Sequence, residues 1–121
     1  MIKKERVDKN APPQCPFCGA DLLRPSDMMI SDGETGQGGV CSCGAFYLVD
    51  PTGKNVGSLM ANALNRAADE LHKEIGSLIP DEDYREAILA YDWRRHQSSG
   101  VSRGYMDGGQ LYIMKINRKK N

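Results

Sequence analysis

The chemistry that this sequence offers most clearly is metal coordination by cysteine. Its four cysteines form two tight pairs, Cys15-x-x-Cys18 and Cys41-x-Cys43, and twenty-two residues separate the pairs. Four thiolates arranged as a tetrahedron are the ligand set of a structural zinc site, which keeps no coordination position open for a substrate. The spacing therefore predicts one structural Zn²⁺ that is bound by all four sulfurs and holds the surrounding segment together.

The compartment of the protein bears on this prediction. The N-terminus is charged and no apolar run follows it, so the sequence predicts no secretory signal. No segment approaches the roughly 18 apolar residues of a membrane span. We therefore expect a cytoplasmic protein without membrane association, in which thiols stay reduced and paired cysteines favour a metal. Disulfides and free thiols are the alternatives, and iron is the alternative to zinc.

The shorter cysteine pair requires a bend in the backbone. In a straight strand Cys41 and Cys43 would point to the same face about 6.6 Å apart. Sulfurs that share one zinc ion lie only about 3.8 Å apart. Gly44 follows the pair and supplies the conformational freedom for a turn.

The two cysteine pairs together resemble the knuckles of a zinc ribbon, over residues 12–52. The matching segments are Cys15-Pro16-Phe17-Cys18-Gly19 and Cys41-Ser42-Cys43-Gly44-Ala45, the second pair being one residue shorter than the usual knuckle. The resemblance implies a β mini-domain in which two turns clamp one Zn²⁺ through the four cysteines. Zinc ribbons occur in transcription factors, ribosomal proteins, nucleic-acid enzymes and protein adapters. The resemblance thus implies a binding role but no particular partner; rubredoxin uses a similar first knuckle to bind iron.

The elements around the cysteines predict an α+β protein of 121 residues in three parts. Residues 1–11 are polar and predict a flexible arm. Residues 12–52 form the zinc ribbon, with strands at 28–30 and 45–49 around a glycine-rich turn at 31–39. The third part, residues 53–121, contains a helical pair, a C-terminal hairpin and a basic tail.

Hydrophobic spacing predicts the elements of this third part. Apolar residues recur at steps of three and four over 55–79, which is typical of an amphipathic helix. A second helix is predicted over 81–97, since three acidic residues stand where a helix dipole favours them. The segments 101–105 and 111–116 flank an Asp-Gly turn and predict a β-hairpin.

Charge is balanced overall but is unevenly distributed along the chain. Residues 12–50 carry one arginine against five carboxylates, whereas residues 94–121 carry seven basic residues against one aspartate. This asymmetry has two explanations: an anionic partner at the C-terminal end, or attraction between the two ends and a solvated tail.

Basic and aromatic residues near the C-terminal end form the candidate binding surface. Arginine binds phosphate through its planar fork and stacks on aromatic rings, so such a cluster can hold a nucleotide or a single strand. The candidates are Trp93, Arg94, Arg95, His96, Arg103, Tyr105, Arg118, Lys119 and Lys120. The structural alternative places Trp93 in the core and pairs the arginines with Asp92 and Asp107.

Three functional hypotheses follow. The first is a zinc-ribbon module, not an enzyme, that engages nucleic acid or a nucleic-acid machine through this basic and aromatic surface. The second is a protein-interaction or assembly module, with a homodimer through the helix at 56–79. The third is an enzyme that uses His96, Arg95 and Arg103 on an anionic substrate. No catalytic residue is assigned, because no nucleophile motif or phosphate-binding loop is present.

Overall fold

Six antiparallel strands form a single sheet in the computed structural model, which describes residues 12–31, 34–51, 56–101 and 109–118. The spatial order of the strands is β1-β2-β3-β6-β4-β5. Strands from both sides of residue 52 therefore share this sheet. The elements are β1 (Ser26–Ser31), β2 (Glu34–Val40), β3 (Phe46–Asp50), α1 (Val56–Leu71), a 3₁₀ turn (Ile75–Ser77), β4 (Tyr84–Asp92), β5 (Gln97–Val101) and β6 (Gly109–Ile116).

The sheet has a hydrophobic core on each face. Successive side chains of a strand point to opposite faces, and β3 shows the result: Phe46 and Leu48 pack in the core beneath α1, while Tyr47 packs in the other. All three side chains are buried. The segment 12–25, which precedes β1, contributes Cys15 and Leu22 to the second core. We call this segment the roof, because it covers the sheet face opposite α1.

The residues of the helix α1 that are fully buried against the sheet are small. Ala63 and Ala67 are fully buried among the side chains of that core. The guanidinium of Arg66 lies 4.5 Å from the centre of the Phe46 ring, a cation–π contact at the edge of this layer. The predicted apolar stripe of the helix therefore packs against the sheet of the same chain.

The helix ends earlier than the sequence predicts, at Leu71 instead of residue 79. His72 adopts a left-handed conformation with φ of 56°. Its N–H donates to the Asp69 carbonyl at 3.3 Å, and the Lys73 N–H donates to the Ala68 carbonyl at 3.0 Å. This pair of hydrogen bonds is a Schellman motif, which stops a helix by satisfying its last carbonyls.

The predicted second helix over 81–97 is wrong, because most of that segment is the strand β4. β4 lies between β5 and β6 and has buried side chains on both faces: Tyr84 packs on the α1 side, and Leu89 and Tyr91 pack on the roof side. When both faces are covered, apolar residues need not alternate with polar ones. Their spacing in β4 therefore matches a helix as well as a strand.

One of the acidic residues assigned to the start of that helix has a different role. Asp83 is buried, and its carboxylate accepts hydrogen bonds from the Lys73 ammonium at 2.9 Å and the Ile79 N–H at 2.8 Å. These bonds fix the connection between α1 and β4.

The glycine-rich segment predicted as a turn contains most of the strand β2. Gly38 and Gly39 lie opposite Leu48 and Tyr47 of β3. A Cβ atom at Gly38 would collide with the Tyr47 carbonyl oxygen, and one at Gly39 would collide with the Tyr47 phenol ring. Glycine is thus required here by the close approach of Tyr47.

The predicted C-terminal hairpin is also wrong. β6 covers the predicted strand at 111–116, but its two neighbours in the sheet are β3 and β4. The segment at 97–101 is β5, and its partner is β4. Residues 102–108, with the Asp-Gly turn of that prediction, lie outside the described residues.

Candidate metal centre

The first cysteine pair lies in a tight turn of the roof. The Gly19 N–H donates to the Cys15 carbonyl at 2.7 Å, and the Cys15 N–H donates to the Ala20 carbonyl at 2.8 Å. Gly19 has φ of 84°, a left-handed conformation that favours glycine. The Phe17 N–H points at the Cys15 sulfur, 3.4 Å away. The backbone thus aims a hydrogen-bond donor at one of the sulfur atoms.

The second cysteine pair lies in the connection between β2 and β3. The Cys41 N–H donates to the Ala45 carbonyl at 2.7 Å, and the Gly44 N–H donates to the Cys41 carbonyl at 2.9 Å. Gly44 has φ of 99°, so the required bend occurs at the residue that the sequence indicates. This turn brings Cys41 and Cys43 out of the extended geometry that would separate their sulfurs.

The two turns bring all four sulfurs together, as the spacing predicts. The Sγ atoms of Cys15, Cys18, Cys41 and Cys43 all lie within 4.8 Å of one another. The Cys15–Cys43 and Cys18–Cys41 sulfur pairs are 3.8 Å and 3.4 Å apart. Sulfurs around a tetrahedral zinc ion are about 3.8 Å apart, so this donor set fits a metal ion of that size. The chain therefore contains a four-cysteine group compatible with a zinc knuckle.

The thiols of Cys15 and Cys41 differ in how readily they ionise. Burial raises the pKa of the Cys15 thiol to about 12, against the opposing effect of hydrogen bonds from the Phe17 and Cys18 backbone. Burial also opposes ionisation of Cys41, but hydrogen bonds from the Cys43 backbone and the Cys18 thiol lower its pKa to about 7. Because the thiolate is the form that binds metal, Cys41 is the better prepared of these two sulfurs for coordination.

Three hydrogen bonds fix the other end of the roof. The Tyr47 hydroxyl donates to the Leu23 carbonyl at 2.7 Å, and the Arg24 guanidinium donates to the Trp93 carbonyl at 2.9 Å. His96 Nε2 lies 2.7 Å from the Leu22 carbonyl. Since a carbonyl only accepts, this nitrogen carries a hydrogen.

His96 is therefore held by hydrogen bonds to other groups of the chain. Its other nitrogen, Nδ1, lies 2.6 Å from the Tyr91 hydroxyl. Both ring nitrogens have hydrogen-bond partners within the chain, and neither is left for proton transfer to a substrate.

Four residues of the predicted basic and aromatic cluster lie together in the turn between β4 and β5. Trp93 is 49% exposed and does not fill the core. The Arg94 guanidinium lies 5.6 Å from the centre of the Trp93 ring. Arg95 forms a 2.8 Å ion pair with Asp92. His96 completes the turn through the contacts described above.

The tail residue Arg118 lies at the opposite end of the sheet. β6 runs from Gly109, which pairs with Tyr91, to Ile116, which pairs with Tyr84. Arg118 follows this far end, and its Nε is 2.7 Å from Glu70 Oε1 on α1. The described cationic residues thus do not form one continuous patch. Arg103, Tyr105, Lys119 and Lys120 lie outside the described residues.

Sequence reasoning did not identify two of the cationic residues that share a groove with Cys43. Arg85 and Lys115 face each other across β4 and β6 and line a groove together with Cys43. The sequence signal that could have placed Arg85 on this face is the two-residue periodicity of β4. The apolar residues of that segment also match the spacing of a helix, so this periodicity was not recognised.

Comparisons with known proteins give no relative for this chain: it matches no protein-family model, no curated protein and no solved structure. Among the described residues, no helix is long and apolar enough to cross a membrane.

Proposed function

We propose that this protein is a small binding module whose roof is fixed by one structural Zn²⁺, bound by Cys15, Cys18, Cys41 and Cys43 in the manner of a zinc ribbon. The observation that carries this proposal is the convergence of four Sγ atoms within 4.8 Å. An all-cysteine set is typical of closed structural sites, whereas catalytic zinc sites keep one position for water.

The position of the site supports a structural role. Two ligands lie in the roof and two lie in the β2–β3 turn, so the bound ion would cross-link these two parts of the chain. Cys15 and Cys41 belong to the same buried core as Leu22 and Tyr47. Ordering a roof segment of this length opposes folding through conformational entropy, and metal binding provides free energy that compensates for this loss.

The metal and its stoichiometry can be measured directly. We expect one zinc ion per chain in protein purified without chelator, and tetrahedral thiolate absorption bands after replacement by Co²⁺. Cys18→Ser and Cys41→Ser should lose the ion. The matched control is Ser42→Ala, which changes an exposed residue between two ligands and should retain it. Metal-free native protein would refute the proposal, and stoichiometric iron would change the identity of the metal.

We propose single-stranded nucleic acid as the ligand of the turn that carries Trp93. The side chain of this tryptophan is half-exposed beside a pocket of about 380 Å³ that is also lined by Arg24, Val49 and Tyr91. A base stacked on an aromatic ring contributes about 1–3 kcal/mol. Among the described residues, Arg24 and Arg94 form no ion pair with a carboxylate, so their charges are available to phosphate groups.

Two further observations favour this ligand over the other hypotheses. The apolar face of α1 is occupied within the chain, where Ala63 and Ala67 are fully buried. This leaves less apolar surface for a helix-mediated homodimer. An enzyme based on His96 would need a free ring nitrogen, and both are engaged.

Binding of short single-stranded RNA and DNA at two salt concentrations tests this second proposal. Trp93→Ala and Arg94→Gln should each weaken binding about tenfold, since each removes a stacking or phosphate contact. Arg95→Gln serves as the matched control, because the charge of Arg95 is already neutralised by Asp92. Absence of binding at low salt, or equal effects of all three substitutions, would contradict the proposal.

A further inference from the structure

A groove of about 740 Å³ lies beside the metal centre, at the end of the sheet opposite to Trp93. Its lining includes Cys43 of the second knuckle, Arg85 of β4 and Lys115 of β6. Arg85 and Lys115 are paired in the β4–β6 register, so their side chains leave the same face of the sheet as neighbours. This face is the roof side, since Leu111 and Ile113 of β6 belong to the core beneath the roof.

The pairing of Arg85 with Lys115 is unfavourable unless something compensates for it. Like charges directly opposite each other on neighbouring strands are destabilising. Within the described residues, four other cations each have a carboxylate partner: Arg66, Lys73, Arg95 and Arg118. Arg85 and Lys115 have none within that part of the chain. Two adjacent, unneutralised cations in a concave surface are the arrangement that binds an oxyanion.

The remaining charged groups of the groove do not neutralise this pair. The charge of Arg118 is shared with Glu70, 2.7 Å away. Asp81 also lines the groove and adds a carboxylate acceptor. A ligand with a phosphoryl group and neighbouring hydroxyl groups would satisfy the two cations and this acceptor together.

The first knuckle positions one of the two cations. The Arg85 guanidinium lies 5.7 Å from the centre of the Phe17 ring, and Phe17 stands between the ligands Cys15 and Cys18. A cation–π contact of this kind orients the guanidinium. Any change that releases the knuckle would therefore release Arg85 as well.

We infer that this groove is a phosphoryl-binding site formed by Arg85 and Lys115, and that the metal centre holds it in shape through Phe17. The phosphoryl group can come from a free phosphate monoester or from the backbone of a nucleic acid. The groove is distinct from the surface of Trp93 and does not depend on the ligand proposed for that surface.

The first experiment follows backbone amide chemical shifts of the metal-bound wild-type chain. One titration uses inorganic phosphate, a second uses ribose 5-phosphate and a third uses a short oligothymidylate, each against sodium chloride at matched ionic strength. We expect saturable shifts in residues 84–86 and 114–117 with at least one phosphoryl ligand. Shifts with inorganic phosphate or ribose 5-phosphate but not with the oligonucleotide would identify a small-molecule site, and shifts with the oligonucleotide alone would identify a backbone site.

Substitutions then test the residues. Arg85→Gln and Lys115→Gln should each weaken phosphoryl binding about tenfold, because each removes a charge-assisted hydrogen bond. Arg95→Gln is the matched control, since the charge of Arg95 is already paired with Asp92 at the other end of the described sheet. Phe17→Leu should weaken binding about threefold while metal affinity stays unchanged.

Three results would overturn the inference. The groove amides do not shift with any of the phosphoryl ligands, while the wild-type chain is folded and metal-bound. Alternatively, Arg85→Gln and Lys115→Gln lower only the metal affinity, which would show that these cations neutralise the thiolate centre. Finally, the oligonucleotide shifts only the amides of the turn at Trp93 while inorganic phosphate and ribose 5-phosphate shift no groove amide, which would support that surface and refute this groove.

Discussion

Tyr112 is a buried residue whose protonation is affected by the fold. It lies in β6 with no exposed surface, and its hydroxyl donates a 2.5 Å hydrogen bond to Glu86 Oε1. Burial, followed by this contact with the carboxylate, raises the pKa of the phenol well above its ordinary value. The protonated phenol is therefore the form that the folded chain requires.

This raised pKa predicts a loss of stability at alkaline pH. Tyrosine in an unfolded chain titrates near pH 10. The pKa of Tyr112 is higher in the folded chain than in the unfolded chain. The contribution of the neutral phenol to the free energy of unfolding is therefore fully present below about pH 10, and it is lost as the pH rises through the pKa of the folded chain. Tyr112→Phe removes this titration and costs about 1 kcal/mol at neutral pH through the lost hydrogen bond.

Urea unfolding of the wild type and of Tyr112→Phe, at a series of pH values up to about 11, measures the effect. The difference between their free energies of unfolding should narrow above about pH 10. A difference that stays constant over this range would contradict the raised pKa of Tyr112.

At the scale of elements, the end of α1 carries a local conformational cost. His72 is exposed and adopts φ of 56°, a conformation that costs an L-residue about 1–2 kcal/mol. Glycine adopts this conformation without the cost and is the usual residue at this position of a Schellman motif.

His72→Gly should therefore raise the free energy of unfolding by about 1 kcal/mol, after allowance for the greater freedom of glycine in the unfolded chain. Chemical denaturation at neutral pH would measure this change. His72→Ala provides the control, because alanine retains the cost of the left-handed conformation. An equal gain from both substitutions would mean that the imidazole itself is unfavourable there.

The same elements show how far the sequence predicts the fold. Most of the helix is predictable, since its apolar residues form one stripe and its other face is polar. The strand β4 is not predictable, because both of its faces are covered. The apolar residues at 84–91 therefore match the spacing of a helix as well as that of a strand. β2 is missed for a different reason: Gly38 and Gly39 suggest a turn, but they are required by the packing of Tyr47.

The candidate site is predictable only in part, for a related reason. The cysteines are recognisable because their chemistry and local spacing are sufficient to predict convergence. The pairing of Arg85 with Lys115 depends on strand register between segments thirty residues apart. No local pattern in the sequence encodes that register.

At the scale of the whole molecule, the roof is attached at two separate points. The proposed metal ion would hold one end through the four cysteines, and hydrogen bonds from Tyr47 and His96 hold the carbonyls of Leu23 and Leu22 at the other. The core beneath α1 has no cysteine in it. The two faces of the sheet should therefore differ in their dependence on metal.

Removal of the metal with a chelator should release the knuckles and leave the helix layer folded. Amide hydrogen exchange would show this as a loss of protection of about tenfold or more at Cys15, Gly19, Cys41 and Gly44. The amides of Ala63 and Ala67 in α1 serve as the internal reference and should keep their protection. Equal loss at all of these amides would instead show that the ion stabilises the whole chain.

The order of the strands has a consequence for biosynthesis. β6 is the last of the described strands to leave the ribosome, yet it lies between β3 and β4 and joins the two halves of the sheet. Until it emerges, β1–β3 and β4–β5 have no shared hydrogen bonds, and pairing over such long sequence separations is slow. The cysteines at 15–43 emerge much earlier, so the nascent polypeptide can bind the proposed metal ion before the sheet is complete.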